Sequence, residues 1–226
     1  LEEALSQMKG AVGDNTVIMA VMNGVDAAER VSAAFPDACV LESVIYIVAF
    51  ADKDYVIHHH SVPCVLKMGT ASDDLDVQAR AEEIASLFNE ARISTKVSKD
   101  IRLDIWRKYI LNAAYNVSTA RFKAPIGPIR SDEKHAEEYC TLVREAAQLG
   151  RALGVDIQEK HIDFVIDQFY KYDDKASSSF QRDVENGVRS EIETFSGYIV
   201  KKSKELGLEL PVSEEYYNAL LAMGVK

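Results

Sequence analysis

The sequence predicts an α/β region followed by an all-helical one, and two observations carry that prediction. Up to Val97, short apolar runs rich in Val and Ile alternate with stretches of helical spacing, as in a sheet covered by helices. From Asp100 onward the strand patterns vanish and the long segments show helical periodicity. The change of character falls near Ser98-Lys99, which gives an α/β part over residues 1–98 and a helical part over residues 99–226.

Composition narrows the function classes. A chain of 226 residues can hold two ordinary domains, and its net charge of −10 argues against a nucleic-acid partner, which would call for a basic face. The longest apolar runs, Val17–Met22 and Val44–Ala51, are strand-sized, so no membrane partner is expected. Cys39, Cys64 and Cys140 are odd in number and widely spaced; buried thiols in a reducing, cytoplasmic compartment fit them better than a disulfide framework.

Taken in order, residues 2–9 read as the tail of a helix, with Gly10 and Gly13 as stop and turn signals. Thr16–Val21 is a short apolar strand of the kind buried in a parallel sheet. It runs into Met22-Asn23-Gly24, and Asp26–Phe35 then reads as a helix. Ligands of open α/β sheets bind beyond the carboxyl ends of strands, so Asn23 is a candidate contact; Asn-Gly is also an ordinary turn dipeptide. Cys39–Ala51 and Asp54–Gly69 look like an antiparallel pair. The second holds His58-His59-His60, whose side chains would alternate between faces and so could not all ligate one metal. Asp76–Ala91 has helical spacing, and Ile93–Val97 is a last short strand.

Helices are expected at about 101–122, 132–153, 158–171, 179–206 and 213–223. Lys123–Ile129, with two prolines and a glycine, should end the first. Gly154 should stop the second. Within the fourth, Gly197 lowers helix propensity, which suggests that another helix or a ligand approaches its backbone closely. Ahead of it, Ser177-Ser-Ser179 is a polar start at which a serine N-cap is the plain reading.

The stretch richest in chemical information is Ile105–Asn116. On a helix, Lys108, Asn112 and Asn116 step up one narrow strip, one turn apart. Trp106, Tyr109, Ile110, Leu111, Ala113, Ala114 and Val117 cover nearly all the remaining circumference, so the helix should be largely buried. One ammonium and two amides there must be satisfied by another buried segment or by a small ligand. A lysine whose stem packs while its head reaches water, with amides capping backbone, is the structural alternative.

These pieces together resemble the ketopantoate reductase (2-dehydropantoate 2-reductase) family. The likeness rests on the apolar strand ending in Asn23-Gly24 and on Trp106-x-Lys108 with Asn112, Asn116 and Thr119-Ala120. It also rests on Ser178-Ser179-Phe180-x-x-Asp183, Ser190-Glu191-Ile192-Glu193, Gly197, and Leu206-Gly207 before Pro211. The resemblance implies a Rossmann-like NADP-binding domain, of which residues 1–98 are the C-terminal part. It implies a helical substrate and dimerisation domain of the 6-phosphogluconate-dehydrogenase-like type, with the active site in the cleft between them. It further implies NADPH-dependent reduction of ketopantoate to pantoate, on the way to pantothenate and coenzyme A. Lys108 then matches the general acid and Glu191 a carboxylate near both the lysine and the cofactor. Asn112 and Asn116 match substrate-contacting amides, Ser179 a hydroxyl holding the substrate carboxylate, and Asn23 an amide beside the cofactor.

The chain departs from the family pattern at three places. Ile126 stands before Gly127 where many members have Asn, which leaves open another branched 2-keto acid as substrate. Glu193 replaces the usual Asp. The family also opens on a strand and a glycine-rich turn that seats the cofactor's pyrophosphate, whereas Gly10-Ala-Val-Gly13 lacks the third glycine and follows no strand. The expectation is that the first half of the dinucleotide domain, with the residues choosing NADPH over NADH, precedes Leu1. Long apolar helices also suit a homodimer, or a non-catalytic binding or dimerisation module.

Overall fold

A computed structural model describes residues 1–59 and 64–226 of the chain. The chain divides into two compact units, Leu1–Ile105 and Trp106–Lys226.

The first unit is built on a four-stranded mixed sheet in the order β1-β2-β5-β6, with β1 at Val17–Met19, β2 at Cys39–Tyr46, β5 at Val65–Gly69 and β6 at Thr95–Val97. β1 runs parallel to β2, β2 antiparallel to β5, and β5 parallel to β6. Helices α1 (Glu2–Met8) and α2 (Ala27–Ala34) precede and follow β1, and α3 (Leu75–Glu90) joins β5 to β6. The two-residue period of the strands assigns their side chains to faces. Leu41, Leu66 and Met68 pack with Ala81 and Ala85 of α3, joined by Val17, Met19 and Ile45. Ile18 packs with Leu5 of α1 and Val31 of α2, joined by Val40. Helices therefore cover both faces, which is why β1 reads as an unbroken apolar run. Asn89, near the end of α3, donates to the Thr95 carbonyl at 3.0 Å and accepts from the Thr95 amide at 3.0 Å, tying the helix to β6.

The expected antiparallel pair forms in two pieces. Tyr46 pairs with Val65 at the end of the main sheet, and a separate two-stranded ribbon follows, β3 (Ala49–Ala51) with β4 (Ile57–His59). Asp52 Oδ2 accepts from His58 Nε2 at 2.8 Å, and the His58 ring stacks on Phe50. His60, the last of the histidine triplet, lies outside the described residues, as do residues 61–63 of the expected second strand.

The second unit is helical: the body of α4 (Ile101–Phe122), then α5 (Ile126–Ser131), α6 (Glu133–Ala152), α7 (Glu159–Lys171), α8 (Ser179–Glu185), a wide π-type turn over Glu193–Gly197 that runs into α9 (Tyr198–Glu205), and α10 (Pro211–Ala222). Two expectations are corrected here. Lys123–Ile129 does interrupt α4, but its second half is itself helical. Pro128 sits in the first turn of α5, where its missing N–H would have had no helical partner. The single helix expected over 179–206 is broken: α8 ends at Glu185, and Gly187 follows at φ +64°, so the chain leaves the helix through the left-handed region.

α4 is buried along most of its length because α6 comes very close. A side chain at Gly150 would strike Trp106 Cε3 at 2.7 Å and also Ile157, so glycine lets the indole come this close to α6. Glu145 of α6, itself 6% exposed, accepts the amides of Val212 at 3.0 Å and Ser213 at 2.7 Å, capping the start of α10 from a neighbouring helix.

Candidate functional site in the helical unit

Lys108, Asn112 and Asn116 lie on α4 at intervals of one turn, so the strip they form is about 12 Å long at 1.5 Å per residue. Lys108 and Asn112 are half-buried and Asn116 is buried. Burial pulls the Lys108 ammonium below its ordinary range, and the Glu191 carboxylate opposes that pull. The structure thus brings Lys108 and Glu191 within electrostatic reach of each other although they are far apart in sequence.

Glu191 is presented by the segment ahead of the wide turn. Its carbonyl accepts the amides of Thr194 and Phe195, both at 3.0 Å, so the residue opens the helix that follows. The turn itself is wide because the Tyr198 amide reaches back five residues to the Glu193 carbonyl. Gly197 makes room beside it for the Glu193 side chain. A Cβ there would collide with the Glu193 carboxylate, whose Oε1 accepts from Tyr217 at 2.8 Å. The close approach at Gly197 thus comes from a side chain of its own turn, not from another helix or a ligand as expected. Tyr109, next to Lys108, donates its hydroxyl to the Thr194 carbonyl at 2.8 Å.

The opposite end of the strip meets α8. Ser178 is the N-cap of that helix, accepting from the Gln181 amide at 2.9 Å, and its hydroxyl stands 2.7 Å from Thr119 Oγ1 on α4. Ser179 follows as the first helical residue and is exposed. Its neighbour's bond to Thr119 puts it at the Asn116 end of the strip. Ile126, at the first position of α5, is fully buried.

A second potential proton donor on α4, Tyr115, is disfavoured by its surroundings. Burial and the neighbouring Tyr172 push its hydroxyl up to about 12, so it holds its proton too firmly. Among the described residues, no group of three or more His, Cys, Asp or Glu could hold a metal ion. No described helix is long and apolar enough to cross a membrane.

Asn23 lies in the first unit, beyond the carboxyl end of β1. Ser43 of β2 holds the Ala20 carbonyl at 2.8 Å, and Gly24 turns the chain at φ +100° toward α2. The Asn23 amide is half-buried, beyond the end of two parallel strands.

Sequence reasoning named Lys108, Asn112, Asn116, Ser179, Glu191 and Asn23. It passed over Tyr109 and Thr194, because an aromatic on an apolar flank and a backbone carbonyl carry no signal in sequence. The cap at Ser178 was legible in the serine run.

Residues 100–224 match the family described as Ketopantoate reductase PanE/ApbA C terminal, and residues 1–73 match Ketopantoate reductase PanE/ApbA. The chain belongs to the ketopantoate reductase family. Among relatives of this oxidoreductase family, the uncharacterized oxidoreductase YkpB of Bacillus subtilis is 29% identical over 221 residues, covering 96% of this chain and 71% of the relative. A 2-dehydropantoate 2-reductase of Streptococcus pyogenes is 25% identical over 212 residues, covering 93% and 68%. The crystal structure of a PanE/ApbA family ketopantoate reductase from Ralstonia eutropha shares the fold at a TM-score of 0.85, 24% identity and coverage of 98% and 71%. The structure of D-mandelate dehydrogenase with NADH shares it at a TM-score of 0.87, 17% identity and coverage of 98% and 74%. The α/β region followed by a helical domain is thus the architecture of ketopantoate reductases, as the sequence predicted.

Proposed function

We propose that the protein reduces 2-dehydropantoate to pantoate with NADPH, with Lys108 as the general acid. The observation that carries this reading is the half-buried ammonium of Lys108 opposite the Glu191 carboxylate, at one end of a strip that continues through Asn112 and Asn116. A bound nicotinamide would supply the hydride. As charge builds on the keto oxygen, Lys108 donates the proton and stabilises the developing oxyanion. Burial alone would drive Lys108 to the neutral amine; Glu191 keeps its acid form available. Asn112 and Asn116 orient a small hydroxy-keto acid without adding charge, and the exposed Ser179 hydroxyl at the far end of the strip suits the substrate carboxylate. Asn23 and Glu191 are assigned to the nicotinamide end of the cofactor. In this reading residues 1–98 serve the cofactor, and residues 99–226 serve the substrate and a homodimer contact.

Ile126 supports a second reading, the reduction of another branched 2-keto acid. An apolar, fully buried side chain stands where many family members offer an amide. The test is NADPH consumption by the purified full-length protein with ketopantoate and a panel of branched and aromatic 2-keto acids, repeated with NADH. Preference for ketopantoate supports the first reading, and preference for another acid the second. Tight cofactor binding with turnover of none of them would overturn both and favour a binding or dimerisation module.

A further inference from the structure

The wide turn ahead of α9 redirects one backbone carbonyl. In a regular helix the Tyr198 amide would bond to Thr194; here it bonds to Glu193. The Thr194 carbonyl instead accepts the Tyr109 hydroxyl at 2.8 Å, and the Thr194 amide donates to the Glu191 carbonyl at 3.0 Å. Two successive hydrogen bonds therefore run from the immediate neighbour of Lys108 to the backbone of Glu191. The Tyr109 ring is 2% exposed and held edge-on by Trp106 and Tyr198, at centroid distances of 5.3 and 6.1 Å, so the hydroxyl has little freedom.

We propose that Tyr109 is the positioning residue of the Lys108–Glu191 pair: its bond to the carbonyl exposed by the wide turn fixes the carboxylate's place beside the lysine. The inference rests on the reading of Lys108 as the general acid only in its consequence for turnover; the positioning itself is independent of it. Glu191 acts on Lys108 from the segment before α9. Glu193, two residues on, is turned to Tyr217 of α10, and Arg107 acts on His161 of α7.

The test is the titration of Lys108 itself, followed by NMR in protein labelled at the lysine side-chain carbons and assigned with Lys108→Arg. Glu191→Gln should lower the Lys108 midpoint. Tyr109→Phe, which keeps the ring and its edge-on contacts, should lower it in the same direction by a smaller amount, and should have no further effect in the Glu191→Gln background. An unchanged midpoint in Tyr109→Phe overturns the proposal. So does an equal displacement with and without Glu191, because a merely structural role would act in both backgrounds. Should the phenylalanine variant fail to fold, Tyr109→Met fills the volume without a donor and is held to the same outcomes. On the acid reading, Tyr109→Phe also reduces kcat by about three- to tenfold, the scale of one hydrogen bond, with KM unchanged. A wild type that reduces no 2-keto acid would sink that reading and leave the titration result standing.

Discussion

Removing the carboxylate of Glu145 should unlatch α10 from the helical unit. Two amides at the start of that helix, Val212 and Ser213, are satisfied by this one side chain at 3.0 and 2.7 Å, and the position before them is Pro211, which has no N–H. Hydrogen bonds to a charged group contribute about 1.5–3 kcal/mol each, and a carboxylate at a helix N-terminus gains further from the dipole. Glu145→Ala leaves both donors without their charged acceptor, that of Ser213 buried, so a loss of about 3–5 kcal/mol is expected. Glu145→Gln keeps the shape and one acceptor but aims an amide NH2 at the other donor, for about 2 kcal/mol. The chain's one tryptophan, Trp106, lies in the same unit with 4% exposure and reports its unfolding directly. With a urea slope of about 2 kcal/mol per molar, the fluorescence midpoint should fall by about 1.5 M or more for alanine and about 1 M for glutamine. A midpoint within about 0.3 M of wild type in the alanine variant would refute the capping argument.

Three further outcomes are expected. Lys108→Ala should cut 2-keto acid turnover by at least about 100-fold in steady-state assays, the scale of a positioned general acid; near-normal turnover would dismiss the assignment. Because burial sets Lys108 below its ordinary range, reductase activity should decline on the alkaline side as the ammonium loses its proton, and Glu191→Gln, by removing the opposing charge, should move that decline to lower pH; a pH–kcat profile that stays put or moves upward argues against the pair. Gly150→Ala should destabilise the helical unit by about 1–3 kcal/mol and alter Trp106 emission, since the added methyl meets the indole and Ile157; unchanged emission and stability would mean that α4 and α6 part without strain.

The elements whose burial follows a simple period were legible in the sequence. β1 and β2 sort their side chains onto two helix-covered faces, and the α4 strip needed only the 3.6-residue repeat. Part of what escaped is structure decided by a contact distant in sequence. α5 looked like a breaker because proline and glycine are judged by their effect inside a helix, whereas here they occupy its first turn. Its start is held by bonds from Ile126 to Ala176 and from Gly127 to Asp174, both at 3.0 Å. The break after Glu185 could have been read from Asn186-Gly187, a usual helix stop, and was masked by the strong apolar stripe of Ile192, Phe195 and Ile199 farther on. In the candidate site the charged and amide residues announce themselves by type, while the bond that joins Lys108's neighbour to the Glu191 segment ends on a main-chain oxygen.

The wide turn also sets angular phase. An α-helix advances about 100° per residue, so a π-type turn amounts to one surplus residue inserted into an otherwise regular spiral. Rewinding Glu193–Gly197 to ordinary pitch with every residue kept, and α9 seated as before, would push that surplus residue upstream. Everything upstream would then swing by roughly a quarter revolution. That swing would carry the acidic side chain at 191 off the line of the lysine, with composition, charge and apolar stripe almost untouched. Orientation at this position is written in residue count as much as in residue type.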